Sequence, residues 1–200
     1  MKLKRYTCLL ALNLLAVLAF GQDFTKNLSS ARSAYASGNL SQSRFAMEQM
    51  LRELDEAIAK EILKLLPPKM DALAANIQDD NTTATGSYLG LYVQRSYGKA
   101  GKTATVDVVN NSPLITSLNA LLAIPFVANA GDGSQKVVRI QGFKAVMHKN
   151  QDSSTGKLDY DLQIPMQNTL VTFKMEDTKE ADMIRLANTL PLEKIAALAK

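Results

Sequence analysis

The chain has 200 residues, 46% of them hydrophobic, with 23 Lys and Arg against 19 Asp and Glu, a single cysteine and a single histidine. The basic excess belongs mostly to the first 21 residues, which hold Lys2, Lys4 and Arg5 and no acid; a near-neutral remainder has little counter-ion release to gain from a polyphosphate, so nucleic acid is excluded as an expected partner. Cys8 lies in that same segment and His148 stands alone, which excludes a disulfide framework, a cysteine metal site and a multi-histidine metal centre, and no cofactor is expected.

Residues 1–21 read as an export signal. The basic start is followed by Cys8 to Phe20, apolar apart from Asn13, and Ala19-Phe20-Gly21 before Gln22 has the small-x-small form that a signal peptidase cuts. The apolar run is shorter than the ~20 residues a membrane span needs. The expectation is a cleaved precursor, periplasmic or secreted, with no stable membrane span after cleavage. The Phe-Gly-Gln exit resembles those of exported precursors of Gram-negative bacteria.

Residues 22–66 predict a helical hairpin. Ala31, Ala34 and Tyr35 share a face of a short first helix, and Gly38-Asn39 ends it because glycine tolerates the left-handed backbone of a helix terminus. A second helix from about Ser41 carries Met47, Met50, Leu51, Leu54, Ile58, Ile62 and Leu65 at three- and four-residue spacing up to Pro67-Pro68. One apolar stripe of that length needs something to cover it, so the hairpin is expected to dock. The stretch Ala31 to Met50 resembles one tetratricopeptide unit; such units bury their faces only in arrays of about three or more, so the sequence predicts an isolated helix pair.

Residues 67–200 predict an α+β domain. Lys69 to Gly86 gives no clear period, and Asp79-Asp80-Asn81-Thr82-Thr83 reads as a polar loop. From Ser87 the period becomes two: Leu89, Leu91 and Val93 alternate with Tyr88, Gly90 and Tyr92, and after a turn at Gly98 to Lys102 come Ala104, Val106 and Val108. Ser112 as N-cap and Pro113 in the first turn start a helix with Leu114, Ile115, Leu118, Leu121 and Leu122 on one face. After a loop at Ala128 to Ser134, strands follow at Lys136 to Gln141 and Phe143 to Lys149. A third has Leu158, Tyr160, Leu162 and Ile164 on one side and Asp159, Asp161 and Gln163 on the other; a fourth runs from Leu170 to Met175. Asp177 with Glu180 forms a capping box for a helix through about Leu190, and Pro191 starts a further helical turn. The expected fold is α+β: an antiparallel meander packed with helices, α/β/α sandwich-like, with the hairpin ahead of it.

A Leu66-Pro67 start, a strand hairpin, a helix after Asn111-Ser112-Pro113-Leu114, the Val138 to Ala145 strand pair and a closing helix resemble a group of exported bacterial proteins without assigned activity, and more loosely the Mog1/PsbP-type α/β/α sandwich. The resemblance implies a binding or assembly role and carries no catalytic residues.

Ser96 to Thr103 is one residue short of a phosphate-binding loop, but strands on both sides make it a lysine-rich hairpin turn. His148, with Asp159 or Asp161 across a hairpin and Ser153, Ser154 or Thr155 in its turn, offers the parts of a hydrolase; a solvated cross-strand charge pair is the plainer reading. Asp152, Asp159 and Asp161 do not supply the oxygen ligands of a calcium loop. Tyr88 and Tyr92 share a strand face on which a ligand could stack, or fill the join of sheet and helix. The helix from Pro113 has a second face of Thr116, Ser117, Asn119, Ala120 and Ala123, too poorly charged for a solvent face, and ends in Ile124-Pro125-Phe126-Val127. It is expected to be buried on both sides, the alternative being an apolar surface for a partner. Leu122, Ile124, Pro125, Phe126, Val127, Tyr88 and Tyr92 are therefore the candidate binding surface. The function expected is a non-enzymatic binding or assembly module of the cell envelope, its partner an envelope protein; a carrier of a small apolar ligand and a hydrolase using His148 are the alternatives.

Overall fold

A computed structural model describes residues 23–84, 90–124, 133–151, 153 and 155–199. The chain divides into two compact units, Met1–Leu54 and Asp55–Lys200, the division falling inside one long helix.

In the first unit, helix α1 (residues 23–36) and the start of helix α2 (Leu40–Leu65) form the expected hairpin. Gly38 sits at φ 78° and Asn39 caps α2, its Oδ1 accepting the Gln42 N–H at 3.1 Å. Small side chains bring the helices together: Ala31, Ala34, Ser43 and Ala46 are buried, the Ser43 hydroxyl donates to the Ala31 carbonyl at 3.0 Å, and the Asn27 amide donates to Glu53 at 2.7 Å. Tyr35 is 70% exposed, not on the packed face with Ala31 and Ala34 as its spacing suggested.

In the second unit, β1 (Lys69–Met70) and β2 (Leu73–Ala74) pair as a small hairpin, and a 3₁₀ turn at Ile77–Asp79 leads into β3 (Asn81–Ala84). Then come β4 (Leu91–Lys99), β5 (Lys102–Asn110), α3 (Leu114–Ala123), β6 (Gln135–Ile140), β7 (Phe143–Gln151), β8 (Leu158–Met166), β9 (Thr169–Met175), α4 (Glu180–Ala187) and α5 (Leu192–Leu198). Strands β3 to β9 form one antiparallel sheet in the order β3-β4-β5-β9-β8-β7-β6. Two runs of hairpin neighbours meet where β5 pairs with β9, and α3 carries the chain from that centre to the far edge. The fold is α+β, with helices on both faces of the sheet.

The strand alternation assigns the two faces. One carries Leu91, Val93, Val106, Val108, Phe173, Leu162 and Ile164, packed with Ala59, Ile62 and Leu66 of α2, Met183 and Leu186 of α4, and Leu192 and Ile195 of α5. On the other, Ile115, Leu118 and Leu122 of α3 pack against Val146 and Leu170. The Ser112 hydroxyl accepts the Leu114 N–H at 3.4 Å just ahead of α3, but the N-cap of the helix is Pro113, without a side-chain cap, and not Ser112 as expected.

Two further segments differ from their sequence pattern. The Asp79 to Thr83 loop is a 3₁₀ turn and an edge strand, because Asn81 to Ala84 find unused peptide groups along β4, from Gln94 to Leu91. The Asp177–Glu180 capping box does not form: Asp177 turns the chain at φ 45° with its N–H donated to Asp159 at 3.0 Å, and Glu180 is engaged by Lys136. The N-cap of α4 is Lys179, without a side-chain cap.

Candidate functional site

Helix α2 changes character along its length. Its C-terminal part meets the sheet, and Ala59 and Ile62 are completely buried. In the first unit the same heptad-like spacing continues through Leu40, Met47, Leu51 and Leu54, and these side chains are 64%, 48%, 52% and 49% exposed. Phe24, Tyr35 and Phe45 are exposed on the same hairpin. Four large apolar side chains in one exposed stripe, Leu40, Met47, Leu51 and Leu54, mark an interaction surface more than a scatter of single side chains does. The stripe was visible in the sequence; the exposure of its first half was not, because spacing alone does not say what covers a face.

Helix α3 is buried on one side only. Thr116, Ser117, Asn119, Ala120 and Ala123 face solvent, which corrects the expectation of burial on both sides. Leu114 and Ile124 are 52% and 51% exposed, whereas Leu122 faces the sheet at 9%. The Lys144 ammonium donates to the Leu122 carbonyl at 3.0 Å, a cation at the negative end of the helix. Pro125, Phe126, Val127 and Tyr88 lie outside the described residues.

Beyond α3 the same sheet face carries a polar strip. Tyr92 and Gln94 on β4 both donate to Asp107 Oδ1 on β5, at 2.9 and 2.8 Å. Burial, followed by the Asp107 contact, pushes the Tyr92 pKa up, so its phenol stays protonated. Two strands further on, Asp161 of β8 stands directly opposite His148 of β7 and Lys174 of β9. Its Oδ2 is 4.0 Å from the Lys174 ammonium, and its Oδ1 is buried without a hydrogen-bond partner. Burial raises its pKa, with Lys174 and His148 opposing. The register thus brings His148 and Asp161 together as expected, but no hydrogen bond joins them. Asp159 instead faces Asn150 and accepts the Asp177 N–H, holding the turn before α4. Among the described residues no group of three or more His, Cys, Asp or Glu could hold a metal ion, and no helix is long and apolar enough to cross a membrane.

The near-miss phosphate loop is a hairpin turn. Lys99 pairs with Lys102 around Ala100-Gly101, and no helix follows to aim amides at an anion. Gly98 is required there: at φ 81° a side chain is strained, and a Cβ would lie 2.5 Å from the Lys102 carbonyl oxygen. An open concavity of about 500 Å³ beside the turn is lined by Leu73, Asn76, Lys99 and Lys102 among others.

Sequence reasoning missed Arg95. Its spacing places it among Val93 and Tyr97 on the buried face, where it is 7% exposed. The guanidinium donates through Nε and Nη2 to the two Asp80 oxygens at 2.8 and 2.5 Å, and through Nη1 to the Leu63 and Leu66 carbonyls at 3.0 and 3.1 Å. It thereby caps the end of α2 and anchors the turn before β3. Tyr97 beside it is fully buried, its hydroxyl has no hydrogen-bond partner, and burial pushes its pKa up to about 12 against the pull of Arg95. The period-two signal at Arg95 was present; its polar identity hid it.

No family model, curated protein or solved structure matches the chain.

Proposed function

We propose that this protein is an exported, non-enzymatic binding or assembly module of the cell envelope, and that the exposed face of its N-terminal helical hairpin is the contact surface. One observation carries the reading: Leu40, Met47, Leu51 and Leu54 form a continuous stripe of half-exposed apolar side chains on α2. A helix presenting anchors at this spacing fits a partner that offers an apolar groove or a second helix. The export part of the proposal rests on the basic start, short apolar run and small-residue exit of residues 1–21.

The test compares proteins captured from envelope extracts by the wild-type chain and by a Met47→Glu, Leu51→Glu double variant. Loss of the specific captured partner from the variant is expected; identical partner sets would remove the hairpin from the proposal. Sequencing the N-terminus of the protein recovered from cells tests export, with Gln22 as the expected first residue.

The His148–Asp161 juxtaposition supports a second reading, a hydrolase in which Asp161 orients the imidazole. It predicts an activity that His148→Ala abolishes.

A further inference from the structure

Independently of the hairpin, we propose that β6 is a self-pairing edge through which two copies of the chain join their sheets across a two-fold axis at Val137. Strand β6 is the end of the sheet, bonded only to β7. The two-residue turn at Gln141-Gly142, with φ 49° and 88°, closes on the Ile140–Phe143 pair, and such a turn makes its closing pair a hydrogen-bonded one. The alternation of an antiparallel ladder then gives the peptide groups of Lys136, Val138 and Ile140 to β7 and turns those of Gln135, Val137 and Arg139 outward. The bond from the Lys149 N–H to the Ser134 carbonyl at 2.6 Å keeps the same parity. At the next outward position the Gln141 N–H is taken by Asn188 at 3.1 Å, so the open stretch ends at Arg139. The three outward peptide groups before it have no partner among the described residues.

Sheets usually guard such an edge with a proline, a bulge or a lysine facing the intruder. Here the β6–β7 register is unbroken, the strand has no proline, and its one lysine, Lys136, is tied to Glu180 on α4. The strand is also self-complementary. About a two-fold axis at Val137, Val137 meets Val137 of the second copy and Arg139 meets Gln135, whose amide oxygen accepts from a guanidinium; Lys136 meets Val138. No like charges face each other, and each of the three outward pairs exchanges two peptide hydrogen bonds. The opposite edge, β3, is only four residues long and carries Asn81, Thr82 and Thr83. Pairing of β6 with β3 would be heterologous and would build open chains, whereas β6 with β6 closes as a dimer.

The test is sedimentation velocity of the full chain over a range of concentrations, in the wild-type background and in Leu51→Glu, which disables the hairpin stripe. A reversible dimer present in both backgrounds is expected. Gln135→Glu places a carboxylate opposite Arg139 of the second copy and should tighten the dimer about threefold to tenfold; Gln135→Lys should weaken it by a similar factor. Arg139→Pro removes an outward N–H without touching the bonds to β7 and should abolish the dimer while circular dichroism stays unchanged. If that variant fails to fold, the opposed Gln135 substitutions still decide. A monomer at every concentration, an open polymer, a dimer lost in Leu51→Glu or one indifferent to residue 135 would overturn the proposal.

Discussion

Removing either partner of the Arg95–Asp80 pair leaves the other charge buried, since the two side chains are only 8% and 12% exposed. Asp80→Ala is therefore expected to cost about 3–5 kcal/mol of unfolding free energy, far more than a surface pair contributes. Urea titration followed by circular dichroism measures it, and a loss below about 1 kcal/mol would show that Arg95 finds enough compensation in the Leu63 and Leu66 carbonyls. Asp161 works in the opposite direction. Its carboxyl holds a proton more tightly in the folded protein than at the ordinary value of 3.8, mainly through burial. Above that value the native state binds more protons than the unfolded chain, so stability falls as pH rises through the window between the two pKa values. Asp161→Asn removes this slope. The variant should gain stability relative to wild type as pH is taken from about 3 to about 7, and a relative loss over that range would mean that Lys174 and His148 outweigh burial at this carboxylate.

Helix α2 allows the same chemical change to be made in two settings. Ile62→Ala empties a completely buried position and is expected to cost about 2–5 kcal/mol; Leu51→Ala, at 52% exposure, should shift stability by no more than about 0.5 kcal/mol. Thermal or urea unfolding of both variants checks the contrast, and comparable losses would mean that the stripe at Leu51 is covered in solution. Strand and helix identity was legible wherever one face of an element is apolar and the other wet, as along Leu158 to Ile164 and through α2. It failed where a residue's role depends on something distant in sequence. Asn81 to Ala84 became a strand because β4 had an open edge, Arg95 entered the core because Asp80 and two helix carbonyls await it, and Asp177 left the cap because Asp159 claimed its N–H. Of the candidate surface, Ile124 is exposed and Tyr92 is half-buried and bonded to Asp107, while Leu122 faces the sheet from α3: the periodicity found the apolar face of the helix but did not say that the weakly charged opposite face would be left to solvent.

At the scale of the whole chain, the two units hold themselves together by different means. The second buries Phe173, Leu162, Ile164, Met183 and Leu190 with many like them, whereas the side chains buried among the described residues of the first are Ala31, Ala34, Ser43 and Ala46. Burial stabilises in proportion to apolar area, about 25 cal/mol per Å², and alanines and a serine offer little of it. Short helices are marginal on their own, so α1 rests on close packing, the Ser43–Ala31 and Asn27–Glu53 bonds, and the Gly38 and Asn39 N–H groups that close its end on the Tyr35 and Ala34 carbonyls. Native-state hydrogen exchange should therefore find α1 amides opening at a free energy at least about 2 kcal/mol below that of the central strands β5, β9 and β8, which should exchange only by global unfolding. A bound partner on the hairpin would raise the protection of α1 and leave the strands as they were. Equal protection of α1 and β9 in the isolated protein would show that the hairpin already has its apolar face covered, and the proposed contact surface would be lost with it.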